Sequence, residues 1–153
     1  DFFIKKAREQ GAKVVCIDPR MTMSAVSLAD EWIPIRPGTD VAMMSAMAYV
    51  MIKENLHDQA FLDKYTVGFE KFKEYILGRE DGIEKTPAWA AEISGVDAAT
   101  IERLAREYAG TKPAALMDCQ GPARSAMGEQ YNRCAATLSA MTGNVGRAGG
   151  SAC

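Results

Sequence analysis

The segment Val41–Ile52 (VAMMSAMAYVMI) constrains the fold more than any other part of the chain. As a helix it is apolar on nearly every side, with only Ser45 interrupting the run, so it has no face to offer to water. It is also too short to cross a bilayer, which takes about 20 apolar residues, so direct membrane insertion is not expected. Such a helix has to be enclosed by other elements, and its methionines then read as core filling. A chain of 153 residues with 48% hydrophobic and 25% charged residues is enough to enclose it in one domain, residues 1–153. The formal net charge of −2 supplies no basic stripe, which argues against nucleic acid as a partner.

The surrounding segments alternate. Phe2–Gln10 reads as a helix closed by Gly11, and Lys13–Ile17 as a buried strand stopped by Asp18-Pro19. Thr22 caps a short helix over Met23–Ala29. Glu31–Ile35 is a second strand, with Pro34 marking an edge or a strand end. After the turn Arg36-Pro37-Gly38, Thr39 or Asp40 caps the apolar helix, which runs to about Asn55. Helices are expected over Asp58–Tyr65, Glu70–Leu77 and, after the cap Thr86 and N1 proline Pro87, Ala88–Ile93. Asp97 caps another, with Ile101, Leu104, Ala105 and Tyr108 on one face. Lys112-Pro113 leads to a third strand, Ala114–Met117, then a polar turn, a helix over Glu129–Met141 and a glycine-rich tail. The pattern predicts an α/β domain with a mostly parallel sheet flanked by helices, a Rossmann-like nucleotide-binding fold. Helix followed by strand is the second half of a βαβ unit, so the domain reads as incomplete at its N-terminus and cut from a larger chain.

Ligands in such sheets sit at the C-terminal ends of strands, here occupied by Asp18–Arg20, Arg36–Asp40 and Gly121–Arg124. Asp18 either ends its strand with Pro19 or accepts hydrogen bonds from ribose hydroxyls. Asp40 is either a helix cap or a carboxylate that pairs with the two-donor edge of guanine. Arg20, Arg36 and Arg124 are either solvated or grip phosphate oxygens with a forked contact. No catalytic group is indicated, since no nucleophile–base or acid–base arrangement is present and the lone histidine, His57, lies in a polar turn expected at the surface. The cysteines Cys16, Cys119, Cys134 and Cys153 lack metal-ligand spacing, so no metal site is expected, and Cys16 reads as a buried inert thiol. Thr142–Gly150 follows a helix and fails the context of a phosphate loop.

Taken in order, VVCIDPR, ADEWIPIRPGTDVAMMSAMAYVMI, LHDQAFLDKYTVGF, DGIEKTPAWAAEISGV, GPAR and LSAMTGNVGRAGG resemble the catalytic subunits of anaerobic dimethyl sulfoxide reductases, among the bis-molybdopterin guanine dinucleotide oxidoreductases. IRPGTD at this distance after IDPR is the most specific part. The resemblance implies a domain that clamps one guanosine end of the molybdenum cofactor within an S- or N-oxide reductase. It implies that Asp18 contacts ribose or guanine, that Gly38, Thr39 and Asp40 surround the guanine with Asp40 reading the base, and that Gly121–Arg124 approaches the pterin or pyrophosphate. Arg20 and Arg36 are further cofactor candidates. One departure stands out. The family's turn Gly-Trp-Gly-Pro-Gln-Arg here reads Cys119-Gln120-Gly121-Pro122-Ala123-Arg124, which removes an indole and an amide from the pterin side. The family's molybdenum ligand and iron–sulfur cysteines lie upstream of this stretch, so by itself the chain is expected to hold no cofactor and to be inactive. Its implied partners are the remaining domains of the parent subunit, an iron–sulfur subunit and a membrane anchor. The implied location is the periplasmic or outer face of a membrane, and self-association is expected of the isolated piece. A standalone nucleotide-binding or subunit-interaction module without redox activity remains the other reading.

Overall fold

The structure, a computed structural model, describes residues 2–118 and 120–150. In chain order the elements are α1 (Phe2–Glu9), β1 (Val15–Ile17), α2 (Met23–Leu28), β2 (Glu31–Ile33), α3 (Asp40–Lys53), α4 (Gln59–Tyr65), α5 (Phe69–Ile76), α6 (Pro87–Ser94), α7 (Ala98–Gly110), α8 (Gln120–Ala123) and α9 (Glu129–Met141). The fold is α/β, as expected, but helix dominates. Among the described residues the sheet is one parallel pair, with Val15 opposite Glu31, Cys16 opposite Trp32 and Ile17 opposite Ile33.

Helix α3 is the axis of the molecule, and α5, α6, α7 and α9 all pack on it. This is what its all-round apolarity demands. Met43, Met44, Met47 and Met51 are buried, and Ala46 and Ala48 have no exposed surface. The alanines let neighbouring helices approach closely while the flexible methionines fill what is left. Fully burying one such large side chain contributes about 1.5–3 kcal/mol. Helix starts follow their caps: the Thr22 and Thr86 hydroxyls and the Asp58 and Asp97 carboxylates accept amides of the first turns at 3.0–3.2 Å. Helix α7 turns Ile101, Leu104 and Ala105 inward, and its charged side reaches back to the strands and to α3. Arg106 forks onto Glu54, and Arg103 bridges Glu31 and Glu107.

Several expectations need correction, among them the polar turn after Met117, in which Gln120–Ala123 forms the short helix α8. Strand β1 is not buried: Val15 and Cys16 are half-buried and Ile17 is exposed, because β1 has one strand neighbour among the described residues. Ala114–Met117 is extended but joins no sheet. The Ala114 amide donates instead to Asn144 Oδ1 at 3.1 Å, so a side chain has taken the place of a strand partner. The tail is irregular, yet Thr142, Gly143 and Asn144 are buried, with Asn144 Nδ2 donating to Thr142 Oγ1 at 2.8 Å. His57 is half-buried against Phe69, its ring nitrogens lying near Met51 O and Gln59 Oε1. Cys16 is half-buried, and burial pushes its thiol up. Cys134 is the buried thiol, pushed up to about 12 by loss of solvent and therefore inert. Expectations for Cys119 and Cys153 fall outside the described residues.

Candidate functional site

The parallel register sends the chain out of β1 and β2 at the same end. On the β1 side the first residue out is Asp18. Its amide donates to Ile33 O at 3.2 Å, and its carbonyl accepts the Trp32 indole N–H at 3.0 Å. Its Oδ1 accepts the Arg20 amide at 2.8 Å, closing a tight turn over Pro19. Asp18 is thus fixed at backbone and side chain, while the Arg20 side chain is exposed and has no partner among the described residues.

On the β2 side, the chain passes through the buried Ile35 and turns at 36–39. The Thr39 amide and hydroxyl both donate to Arg36 O, at 3.3 and 2.7 Å, and Gly38 takes φ +76°, a left-handed conformation that favours glycine. Nothing lies within 4 Å of where a Cβ on Gly38 would be, so the turn is open on that side. Of the two expected caps, Thr39 holds the N-cap position of α3. Thr39 makes no side-chain cap bond, and Asp40 is already the first residue of α3. The half-buried Asp40 carboxylate complements the helix dipole. Burial raises its titration, its own amide draws it partly back, and the charge of Asp18 raises it again. The two carboxylates are within electrostatic reach of one another. The result is a pair of carboxylates that sense one another beyond the same end of the parallel pair, with an open turn at Gly38 just before Asp40.

Not every expected residue joins this cluster. Arg36 directs its guanidinium to the end of α6, with Nη1 donating to Glu92 O at 2.6 Å and Ile93 O at 3.1 Å. Gly121 and Arg124 belong to a separate support, α8 and the residue after it, which rests on α9. Arg124 Nη2 donates to Gln120 Oε1 at 3.0 Å. The indole of Trp32, which holds the Asp18 turn, was not anticipated. The strand pairing that sets it across from Cys16, two residues before Asp18, is the signal that points to it. A broad open groove lies at the opposite strand ends, among Lys5, Arg8, Lys13, Ser27 and Asp30. Its Arg8 and Lys13 are already paired with Asp30 and Glu107, each at 2.6 Å, so its charge is largely spent internally. Among the described residues no cluster of His, Cys, Asp and Glu could hold a metal ion, and no helix is long and apolar enough to cross a membrane.

The family model described as molybdopterin oxidoreductase matches residues 2–152. Dimethyl sulfoxide reductase DmsA of Haemophilus influenzae is 51% identical over 95% of this chain, and that of Escherichia coli is 48% identical over 97%. The match occupies 20% of each of those proteins, so the chain spans about a fifth of the length of these relatives. Among solved structures, acetylene hydratase from Pelobacter acetylenicus superposes with a TM-score of 0.66 at 32% identity, over 90% of this chain and 17% of that one. The chain belongs to the molybdopterin oxidoreductase family.

Proposed function

We propose that this chain is a single α/β domain that holds the guanosine end of a molybdopterin guanine dinucleotide cofactor, within a larger enzyme that reduces S- or N-oxides such as dimethyl sulfoxide. The observation that carries the reading is the joint arrival of Asp18 and Asp40 at one end of the parallel pair. The residues fit such a group. Among the described residues the Asp40 carboxylate has no partner beyond its own amide, so it keeps acceptor capacity for guanine N1–H and N2–H2. The second oxygen of Asp18 remains for a ribose hydroxyl, the turn over Gly38 and Thr39 leaves room for a flat base, and Arg20 is free for a phosphate. Gly121 and Arg124 would meet the pterin side of the same cofactor. When bound, the cofactor supplies molybdenum for two-electron, oxygen-atom chemistry. The chain's own part is to bind and orient one end of it.

The relatives support this division of labour. A dimethyl sulfoxide reductase and an acetylene hydratase carry out different reactions by name, yet both contain a match to this stretch. A domain shared across such reactions suits cofactor holding better than substrate choice. On this reading the isolated chain is inactive. The parent's other domains, an iron–sulfur subunit and a membrane anchor complete the enzyme, at the periplasmic or outer face of the membrane. The test is Asp40→Asn in the larger enzyme, which replaces an acceptor by a mixed donor and acceptor. It should weaken cofactor retention by about 1–3 kcal/mol. Occupancy is measured as nucleotide released per protein under limiting molybdate, beside the exposed control Glu80→Gln. Equal occupancy in the two variants would remove Asp40 from the base-reading role.

A further inference from the structure

We infer that Arg36 is a positioning residue for the nucleotide turn and takes no part in gripping phosphate. This rests on the reading of Asp40 and its turn as the guanosine-holding element. The last carbonyls of a helix have no partners within it and form its negative end, so a cation placed there is favoured. Arg36 meets three consecutive carbonyls of this kind at the end of α6. Its Nη1 donates to Glu92 O and Ile93 O at 2.6 and 3.1 Å, and its amide donates to Ser94 O at 2.9 Å. The next residue, Gly95, is left-handed with φ +75°, and a Cβ there would sit 3.4 Å from Arg36 Nε and 3.6 Å from its Cγ and Cζ. The side chain, though exposed, therefore lies along the glycine and is held at its guanidinium end. From Arg36 the restraint passes directly to the site, because Arg36 O accepts both the amide and the hydroxyl of Thr39, the residue before Asp40. Helix α6 is a firm anchor, packed on α3 and α7 with Ser94 buried. Arg20, whose guanidinium has no partner among the described residues, is left as the candidate phosphate cation of the two.

The experiment uses hydrogen exchange and two probes, guanosine and guanosine diphosphate, on the larger enzyme emptied of its cofactor and on its variants Arg36→Ala, Arg36→Lys and Arg20→Ala. A positioning role predicts that Arg36→Ala speeds exchange at the amides of residues 36 and 39 without ligand. It also predicts weaker binding of both probes by the same factor, about tenfold, with partial rescue by Arg36→Lys. Arg20→Ala should weaken guanosine diphosphate and leave guanosine unchanged. Unchanged exchange in Arg36→Ala overturns the inference, as does loss of the diphosphate alone. If the unaltered enzyme binds neither probe while Arg36→Ala still loosens residue 39, the guanosine reading fails and the restraint on the turn stands.

Discussion

Asp40 is a carboxylate whose charged form folding disfavours, since burial raises its titration and Asp18 adds to the effect. A raised carboxyl destabilises the folded state at pH values above its unfolded pKa, and that penalty vanishes once the pH falls below the unfolded value. Asp40→Asn should therefore be more stable than the unaltered protein near neutral pH, by a margin that shrinks on acidification. Urea unfolding at neutral and acid pH measures it, and a margin that grows toward acid would contradict the burial. Nucleotide binding should strengthen as pH rises through the same titration, because the ionised form is the acceptor. Asp81 shows the opposite sign. Its carboxyl lies below the usual range chiefly because Lys85 Nζ donates to it at 2.5 Å, and Lys85 is buried, with its ammonium over the rings of Tyr75 and Trp89. A depressed carboxyl adds stability above its unfolded pKa, lost as pH falls through the folded value. Asp81→Asn should lower the urea midpoint near neutral pH and lose that effect in acid. A midpoint unchanged at pH 7 would show that Lys85 does not depend on its partner.

At the scale of elements, stability is concentrated on α3. Met51 has no exposed surface, and Met51→Ala should cost about 2–5 kcal/mol. Met23, 81% exposed on α2, should change stability by no more than about 0.5 kcal/mol when cut to alanine. Paired denaturant titrations decide this, and similar losses at the two positions would deny α3 its central place. The helices other than α8, which lies where a polar turn is expected, were legible in the sequence because their signals are local. Thr22, Thr86 and Asp97 cap the helices they precede, and the apolar run of α3 permits only an enclosed site. The strands were less legible because a strand's burial is decided by neighbours distant in sequence. Val15–Ile17 has the composition of a buried strand, yet it is covered by a single partner. Ala114–Met117 looks like a strand until Asn144, thirty positions on, takes the Ala114 amide.

Across the whole molecule, apolar surface is distributed unevenly. While α3 is enclosed, Phe2, Phe3, Met21, Met23 and Val26 are exposed on and around α1 and α2, with Phe3 at 84%. Helix α1 has no buried residue and is tied down largely by Arg8, which reaches Asp30 and Ser27 O. With β1 paired on one side among the described residues, this region should self-associate in the isolated chain. Light scattering should show a concentration-dependent mass that Phe3→Lys reduces, and a mass independent of concentration would count against it. The candidate site was suggested at this scale too, because ligands of a parallel sheet sit at its strand ends, and Asp18 and Asp40 follow β1 and β2 at that end. What the residue pattern could not supply is the direction of a long side chain, so Arg36 resembled a phosphate grip until its carbonyl partners on α6 were visible. The central claim is that this end of the sheet holds guanosine, and it can be read residue by residue from amide NMR shifts during titration with guanosine diphosphate and, separately, adenosine diphosphate. Adenine lacks the N1–H donor, so the account predicts shifts centred on residues 18–20 and 36–40 with the guanine nucleotide and much weaker ones with adenine. Equal response to both nucleotides, or shifts centred on the groove of Lys5, Arg8 and Lys13, would contradict it.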